Sequence, residues 1–353
     1  MSVLRLLLFP FSWLYGATLW VRHALYDSGL QASVRPSRPS IVIGNLALGG
    51  TGKTPMLELV LRLLDDTMPL ATLSRGYGRK GSHLHEVSEQ DTADAVGDEP
   101  LQIKGKFPFV HVFVGADRVK CIQAIQQQLP EMKAVLLDDA FQHRRLNGSL
   151  NVLLTTFQKP WCDDHLLPAG RLRDLPSRSR SAQVVVVTKC STLPDGSERE
   201  HWHARLGLRA DQELFFSGIE YEEPKRLVGD GHEWPGLAQD NCLLFTGIAD
   251  PAPLLEHTRR IFKNVDHVAF PDHHPFSKAD LAMLAGRYAT FAPGPKLLIT
   301  TEKDAMRLRS VIKGSPLENL PVGVIGMRAV ILNEPGRFAT LIRDHVATYP
   351  AHR

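Results

Sequence analysis

Runs of consecutive apolar residues alternate along the first part of the chain with segments in which apolar residues recur every three or four positions. Continuous apolar runs are typical of strands buried on both faces, as in a parallel sheet. The predicted strands are residues 41–43, 70–73, 109–114, 134–137, 151–155 and 184–188. Residues 55–64 and 118–128 have helical spacing. The alternation predicts an α/β fold with helices on both faces of the sheet, an α/β/α sandwich.

A second group of apolar runs predicts a smaller α/β unit. Its predicted strands are residues 242–246, 267–270, 296–300 and 322–325. The stretch 208–240 between the two groups is less regular, and residues 33–40 form a connector rich in proline, serine and arginine. A chain of 353 residues has room for two domains. We therefore predict an N-terminal helix at 1–32, a larger domain at 33–210 and a smaller domain at 211–353.

The N-terminal segment 6–21 departs from this pattern, because it is apolar, rich in aromatic residues and free of charge. Arg5 and Arg22 flank it. It is shorter than the roughly 20 apolar residues of a spanning helix, and it lacks the cleavage site of a signal peptide. Aromatic residues with flanking arginines favour a helix lying in the membrane interface, with Pro10 in its first turn. A helix buried in the protein core is the alternative.

The composition excludes several classes of function. The formal net charge of +3 is too small to predict a nucleic-acid partner. The 15 histidines include no HExxH motif. Neither a disulfide framework nor a zinc ribbon is expected, because no two cysteines form a CxxC pair, and a reducing compartment fits best. The cysteines are Cys121, Cys162, Cys190 and Cys242.

Residues 41–54 (IVIGNLALGGTGKT) have the pattern of a phosphate-binding loop between a strand and a helix. Glycines let backbone N–H groups turn toward phosphate oxygens, a lysine reaches the outer phosphates, and a Ser or Thr hydroxyl coordinates magnesium. Ala47 replaces the first glycine of the general pattern, and we expect Gly49 and Gly50 to supply the flexibility. The predicted ATP-binding residues are Ala47, Leu48, Gly49, Gly50, Thr51, Gly52, Lys53 and Thr54.

An acidic pair ends another predicted strand. Asp138 and Asp139 follow the apolar run 135–137, at the carboxyl end of the strand, where open sheets bind ligands. In a chain with a phosphate loop, such acids hold Mg²⁺ or its water, so both are predicted to join Thr54 at a metal site. A strand that enters a loop with acidic caps is the alternative.

The strand at 184–187 is followed by a pair of residues that bears on nucleotide choice. GTPases read guanine at this place with Asn-Lys-x-Asp. Here Thr188 precedes Lys189, and Ser191 replaces the aspartate. The sequence therefore favours ATP over GTP.

Two further clusters are candidates for the acceptor side of a phosphotransferase. They are GDEP at 97–100 and FPDHH at 270–274. Phosphoryl transfer to a hydroxyl needs a carboxylate that accepts the proton, and an Asp–His partnership commonly orients such a base. Taken alone, the first cluster is more typical of a solvated turn, and the second of a structural or surface histidine pair.

These clusters belong to a longer series of motifs. In order, the motifs are GNLALGGTGKTP (44–55), LSRGYGR (73–79), GDEP (97–100), GADR (115–118), LLDDAFQHRRL (136–146), LLPAGRLRD (166–174), VVVVTK (184–189), FTGIADP (245–251), FPDHHPF (270–276) and TTEKDAMRL (300–308). The series resembles the tetraacyldisaccharide 4'-kinase family, the lipid A 4'-kinases, along nearly the whole chain. DDAFQHRR and FPDHH are not general features of phosphate-loop proteins, which makes the resemblance specific.

The resemblance implies an enzyme that transfers the γ-phosphate of ATP to the 4'-hydroxyl group of a tetraacyldisaccharide 1-phosphate, forming lipid IVA on the route to lipid A. It implies a P-loop NTPase-like domain, a second domain that closes the cleft, and Mg²⁺ with the ATP. The lipid substrate and the membrane surface are the expected partners, without nucleic acid or an obligate protein partner. The expected location is the cytoplasmic face of the bacterial inner membrane, in peripheral or monotopic form.

The resemblance also implies roles for individual residues. Asp98 resembles the catalytic base, and His273, preferred over His274, resembles its partner across the cleft. Asp138 and Asp139 match the acids of the metal site. The predicted substrate-binding residues are Glu99, Arg118, Gln142 and His143.

One motif departs from the family pattern. The segment that usually ends in Arg-Glu-Pro reads Arg173-Asp174-Leu175 here. Asp174 keeps the charge but is one methylene shorter than glutamate. It is predicted as a metal-site residue whose contact with Mg²⁺ would pass through water.

Two other functions use the same motifs. A membrane-associated nucleotide switch would bind and hydrolyse nucleotide without a sugar acceptor, but it leaves the GDEP and FPDHH clusters unexplained. A kinase acting on a small soluble molecule leaves the aromatic N-terminus unexplained. Dependence of turnover on an acylated sugar acceptor distinguishes the three.

Overall fold

The computed structural model describes residues 3–76, 79, 81, 83–227, 240–309 and 311–350. Its α-helices are α1 Val3–Asp27, α2 Lys53–Leu63, α3 Ala93–Val96, α4 Asp98–Lys106, α5 Arg118–Gln128, α6 Gly196–Arg205, α7 Ala252–Ile261, α8 Lys278–Thr290, α9 Glu302–Leu308 and α10 Pro335–Thr348. Its strands are β1 Ser40–Asn45, β2 Leu70–Ser74, β3 His85–Glu86, β4 His111–Val114, β5 Ala134–Asp138, β6 Leu150–Thr156, β7 Val184–Thr188, β8 Glu213–Tyr221, β9 Lys225–Arg226, β10 Asn241–Thr246, β11 Asn264–Ala269, β12 Lys296–Thr301, β13 Val322–Ile325 and β14 Met327–Ile331. Tyr77 and Gly78 of the motif at 73–79, and residues 228–239 of the stretch 208–240, lie outside the described residues.

The first group of strands forms a large, mostly parallel sheet in the order β14-β8-β7-β6-β1-β5-β2-β4-β3. Its central strand β1 lies between β5 and β6, parallel to both. Ile41 and Ile43 pack in the same core as α2, whereas Val42 faces the core that contains α5. Alternate residues of one strand thus enter two helix-covered cores, and the predicted α/β/α sandwich is confirmed.

The large sheet also draws strands from the far side of the predicted boundary at 210 and 211. Strand β8 pairs in parallel with β7, and β14 pairs antiparallel with β8. Helix α10 packs against α2 and β14, and Phe338 meets Phe215 edge to face with ring centroids 5.1 Å apart. The irregular stretch predicted at 208–240 is therefore wrong for Glu213–Tyr221, whose Phe215 and Phe216 enter opposite cores. The limits 33–210 and 211–353 stay a prediction.

The second group of strands forms a smaller sheet in the order β11-β10-β12-β13-β9. Strands β10 to β13 lie parallel, and β9 is antiparallel at the edge. Leu243, Phe245 and Leu298 lie in a buried core with α8, and Leu244 and Ile299 point into a second core. The predicted smaller α/β unit is confirmed.

Helix α1 lies along the large unit and presents two unlike faces. Ser12, Leu19 and His23 are buried against the protein, whereas Trp13 and Trp20 are 72% and 66% exposed. The alternative of a core helix therefore does not describe α1. Among the described residues, no helix is both long enough and apolar enough to cross a membrane.

The placement of Pro10 in the first turn of α1 is wrong. The helix begins at Val3, so Pro10 lies inside it. The turn before Pro10 is held to the protein, because the Arg5 side chain donates a hydrogen bond of 2.8 Å to the carbonyl of Ala169. Pro10 lacks a backbone donor, so the helix continues past it with one hydrogen bond fewer.

Candidate active site

The phosphate loop joins β1 to α2, and hydrogen bonds from polar side chains hold it in place. Gly49 and Gly52 have φ angles of 106° and 84°, which residues with a side chain rarely adopt. The Asn45 amide donates 2.8 Å hydrogen bonds to the Thr51 hydroxyl and to the Ala47 carbonyl. Helix α2 begins directly after this loop. The free N–H groups at its N-terminal end can therefore bind an anion held by the loop.

The beginning of the loop is committed to a neighbouring segment. Ala47 forms an antiparallel bridge with Leu172, so it needs no glycine-specific backbone angle. This explains why the substitution of the first glycine is tolerated. The Leu48 amide donates to the Arg171 carbonyl at 2.7 Å. Leu48 can therefore offer its amide to a phosphate only if that hydrogen bond opens.

Thr188, where GTPases place an asparagine, supports the loop. Its hydroxyl lies 2.8 Å from the Thr51 carbonyl and 3.1 Å from the Thr155 carbonyl, and it donates to them. The next residue, Lys189, has a φ angle of 61° and pairs with Asp250 at 3.4 Å. That contact joins the large unit to the loop after β10 of the smaller one.

The two acids at the end of β5 have opposite electrostatic surroundings. Burial raises the pKa of Asp138, and the charges of Glu99 and Asp139 add to the effect. Burial alone would raise the pKa of Asp139 too, but the hydrogen bond from Arg173 and the charge of Lys53 lower it. Arg173 contacts both oxygens of Asp139, at 2.6 and 2.9 Å, and Lys53 lies 3.9 Å away. Asp139 also has a φ angle of 48°, and such strain in a non-glycine residue is often found at functional sites.

These groups fit a magnesium ion that arrives with nucleotide. Thr54, Asp138 and Asp139 offer the oxygen ligands that Mg²⁺ prefers, and Asp138 Oδ1 is buried without a hydrogen-bond partner among the described residues. Mg²⁺ commonly binds to one or two carboxylates together with substrate phosphates and water. In the described part of the chain, no three His, Cys, Asp or Glu side chains form a metal-binding group by themselves. A site completed by nucleotide phosphates and water agrees with this finding.

Asp174 is seated differently from the other predicted metal-site residues. Its side chain is fully buried, and its Oδ1 atom lies 2.5 Å from Nε2 of His23 on α1. The same oxygen accepts a 2.9 Å hydrogen bond from the Leu175 amide. The contact with His23 directs Asp174 toward α1, and the metal role of Asp174 stays a prediction.

The predicted acceptor clusters meet across the two units. Asp98 begins α4, and its Oδ2 atom lies 3.0 Å from Nδ1 of His273 and 3.3 Å from the Arg307 guanidinium. Burial alone would raise the pKa of Asp98, but the hydrogen bond with His273 and the charges of Lys303 and Arg307 lower it to about 2. His274 instead contacts Asp280 at 3.1 Å. The preference for His273 over His274 thus agrees with the geometry.

Helix α9 contributes two cations for which the sequence predicted no role. Lys303 forms an ion pair with Glu99, next to Asp98. Arg307 contacts Asp98, lies 3.2 Å from Asp304, and donates to the Gly247 carbonyl at 3.1 Å. Both lie in the motif TTEKDAMRL, directly after β12. Their spacing of four residues, on a helix that follows a buried strand, is the sequence signal that could have indicated a role at the site.

The remaining predicted substrate-binding residues lie near the metal-site acids. Arg118 is buried at the start of α5, and its guanidinium donates to the Gly115 carbonyl at 2.5 Å. Burial lowers the pKa of His143, and the charge of Arg118 lowers it further. The Gln142 amide donates to the Asn45 carbonyl at 2.5 Å, which brings it to the phosphate loop. Substrate contacts for these residues and for Glu99 stay predictions.

Comparison with known proteins relates this chain to one family. The profile of the family described as tetraacyldisaccharide-1-P 4'-kinase matches residues 4–347. The tetraacyldisaccharide 4'-kinase of Bacteroides thetaiotaomicron is 41% identical over 312 residues, which cover 85% of this chain and 82% of the relative. That of Flavobacterium johnsoniae is 37% identical over 346 residues and covers 98% of both chains. A crystal structure of LpxK from Aquifex aeolicus in complex with ATP has a TM-score of 0.73 and 27% identity, covering 98% of this chain and all of the other.

Proposed function

The chain belongs to the tetraacyldisaccharide 4'-kinase family, and we propose that it transfers the γ-phosphate of ATP to the 4'-hydroxyl group of a tetraacyldisaccharide 1-phosphate, forming lipid IVA. The observation that carries the proposal is the 3.0 Å contact between Asp98 and His273. A nucleotide switch needs a phosphate loop and metal-site acids, but it has no use for a second unit that brings a histidine to a buried carboxylate. A kinase uses such a pair to receive an acceptor hydroxyl.

On the nucleotide side, the loop amides and Lys53 hold the phosphates of ATP. Thr54, Asp138 and Asp139 hold Mg²⁺, which neutralises phosphate charge when it is bound. Burial, with the charges of Glu99 and Asp139, raises the pKa of Asp138, and a bound cation would oppose that rise. Arg173 keeps Asp139 oriented, so that Lys53 is not drawn fully onto that carboxylate.

On the acceptor side, Asp98 receives the proton of the sugar hydroxyl. Its low pKa leaves it ionised, and therefore able to accept a proton, throughout the neutral range. One of its oxygens accepts from the Glu99 amide and the other faces His273, so its orientation is fixed. A fixed carboxylate places the attacking oxygen for in-line transfer, which is most of what a phosphotransferase must do.

Helix α1 brings the enzyme to its lipid substrate at the membrane surface. Its outward face presents Phe11, Trp13, Leu14 and Trp20, all more than half exposed. Single exposed apolar residues are common on protein surfaces, whereas a group of them on one face is typical of a membrane or protein contact. Aromatic residues with nearby Arg5 and Arg22 fit the boundary between lipid headgroups and acyl chains. We place the enzyme on the cytoplasmic face of the inner membrane, where ATP is available.

A transfer assay tests the proposed function. Purified protein in detergent receives ATP labelled in its γ-phosphate, Mg²⁺, and either the tetraacylated disaccharide 1-phosphate or its deacylated form. We expect label in the acylated product, with at least tenfold less transfer to the deacylated form, because the acyl chains hold the acceptor at the micelle surface. Hydrolysis of ATP at the same rate with and without acceptor would support a nucleotide switch, and equal use of both acceptors a soluble small-molecule kinase.

A further inference from the structure

The segment 164–175 lies between helix α1 and the phosphate loop, and its inner edge is hydrogen-bonded to that loop. The Leu48 amide donates to the Arg171 carbonyl, and the Arg173 amide donates to the Leu46 carbonyl, both at 2.7 Å. Leu172, between them, forms the antiparallel bridge with Ala47. The position of this segment therefore fixes where the loop begins.

The outer edge of the same segment is held by side chains of α1. The Ser12 hydroxyl lies 3.0 Å from the Leu166 carbonyl, and the Tyr15 hydroxyl donates to the Arg173 carbonyl at 2.8 Å. His23 contacts Asp174 at 2.5 Å, with both side chains almost fully buried. One helix thus holds the segment at its beginning and at its end.

Successive residues of the segment face opposite ways, as side chains of an extended chain do. Asp174 faces α1, whereas Arg173 faces the phosphate site. There the Arg173 guanidinium contacts Asp139 through two hydrogen bonds and the Asn45 side chain at 2.6 Å. Asn45 in turn donates to Thr51 in the phosphate loop. Arg173 is therefore a link between α1 and the groups that surround the nucleotide phosphates.

The His23–Asp174 contact fixes this part of the segment more firmly than a surface contact would. Without His23, this buried carboxylate would keep the Leu175 amide as its one donor among the described residues, and the desolvation cost left uncompensated would favour a shift of the backbone around it. Any such movement shifts Arg173, which is the adjacent residue. Asp139 would then lose its two hydrogen bonds and draw in Lys53, now 3.9 Å away, so that the ammonium group would leave the phosphates.

We propose that His23 and Asp174 are positioning residues, through which helix α1 holds Arg173 on Asp139 and keeps the phosphate site in its binding-competent form. The inference rests on the proposed nucleotide site and adds to it a dependence on α1. Neither residue touches the nucleotide in this account. The helix that faces the membrane is accordingly part of the support of the ATP site, even when no lipid substrate is present.

The test is ATP affinity in detergent with Mg²⁺ and without any disaccharide, measured by displacement of a fluorescent ATP analogue. We expect H23A and R173A each to weaken ATP binding about tenfold, and H23Q, which keeps a donor near Nε2, to stay within about threefold of wild type. If His23 acts through Arg173, adding H23A to R173A should weaken binding by no more than about twofold further. T18A is the matched control, because Thr18 is exposed and its hydroxyl donates to the Tyr15 carbonyl of its own helix.

Unchanged affinity in H23A, or the full tenfold effect of H23A in the R173A background, would overturn the inference. Circular dichroism verifies that each variant is folded. Should H23A unfold, the comparison uses D174N, which keeps the side-chain volume, and an affinity equal to wild type in folded D174N would overturn the inference as well. A wild-type protein that binds no ATP would instead contradict the proposed function.

Discussion

The phosphate side and the acceptor side of the site are built in different ways. The phosphate side is a loop between consecutive elements, β1 and α2, and it offers mainly backbone N–H groups and Lys53. The acceptor side joins Asp98 to His273, which are 175 residues apart in sequence, and relies on side chains from both units. The backbone site forms within the large unit, with support from α1 and the segment 164–175, whereas the side-chain site depends on how two packed units meet.

This difference predicts how the two sides respond to substitution. Changes on the phosphate side should remove nucleotide binding and therefore every later step. Changes on the acceptor side should slow transfer while ATP still binds, because the loop does not need the second unit for its shape. The two readouts, ATP affinity and turnover, separate these cases.

The largest effect is expected from Lys53→Ala. Loss of the only ammonium group proposed at the outer phosphates should lower turnover by at least about a thousandfold and weaken ATP binding, because charge on the transferring phosphate would be unopposed. Label transfer and ATP displacement measure the two effects. Lys263→Ala is the control, since Lys263 is exposed, is paired with Asp240 and lies in the smaller unit, far from Lys53 in the sequence. Near-normal turnover in the Lys53 variant would contradict the phosphate role.

Asp98→Asn should lower turnover by at least about a hundredfold, the lower end for a general base, while ATP affinity stays within about threefold. The amide keeps the shape of the side chain but cannot accept the proton. Asp94→Asn, four residues upstream and exposed, is the matched control. Loss of ATP binding in the Asp98 variant would mean that the two sides are not separable, and turnover within a fewfold of wild type at every pH would mean that another group is the base.

The contrast also explains which features could be predicted from the sequence. The phosphate loop and the acids after β5 are contiguous, and both adjoin apolar strands, so local pattern and known chemistry sufficed. Asp98 and His273 needed the family resemblance, because no sequence spacing predicts a contact between two units. The contact between Asp174 and His23 could not be predicted, since the two residues are 151 positions apart and neither local sequence indicates the other as a partner.

Strand β8 illustrates a limit of a different kind. The residues Glu213–Tyr221 contain glycine, serine and two glutamates among apolar residues, so the pattern indicated an irregular connection. The strand forms because β7 offers it an edge with matching register, and Phe215 and Phe216 fill cores on both faces. Pairing with β7 and packing in the two cores therefore outweighed the weak strand preference of the segment's own composition.

Replacing Trp13 and Trp20 together by serine should affect only the acceptor side. Removing two exposed rings lowers the apolar area that can enter lipid, so vesicle binding should weaken, and the KM for the acylated acceptor should rise about tenfold. ATP affinity in detergent should not change, because both rings face away from the protein. Flotation with anionic vesicles and acceptor titration measure these effects. Binding to vesicles as strong as that of wild type would argue against an interfacial role for α1.

The smallest effect concerns the pH dependence of the contact between the two units. The hydrogen bond with Asp98 raises the pKa of His273 above its usual value, although burial opposes the shift. A group with a raised pKa in the folded state stabilises that state fully below its unfolded pKa, about 6.5, and the contribution is lost as the pH rises through the folded pKa.

Wild type should therefore exceed His273→Gln in free energy of unfolding below about pH 6, and the difference should vanish at alkaline pH. It should not exceed about 1 kcal/mol, because the His273 side chain is 38% exposed and solvent screens the pair. Urea unfolding of both proteins at pH 5.5 and pH 8.5 measures the difference. On the phosphate side, burial alone would raise the pKa of Asp139, but the hydrogen bond from Arg173 and the charge of Lys53 lower it, so this carboxylate does not titrate over the same range. A difference that is constant or grows with pH would show that His273 is not held as a proton-bearing partner of Asp98, and that the two sides meet through packing alone.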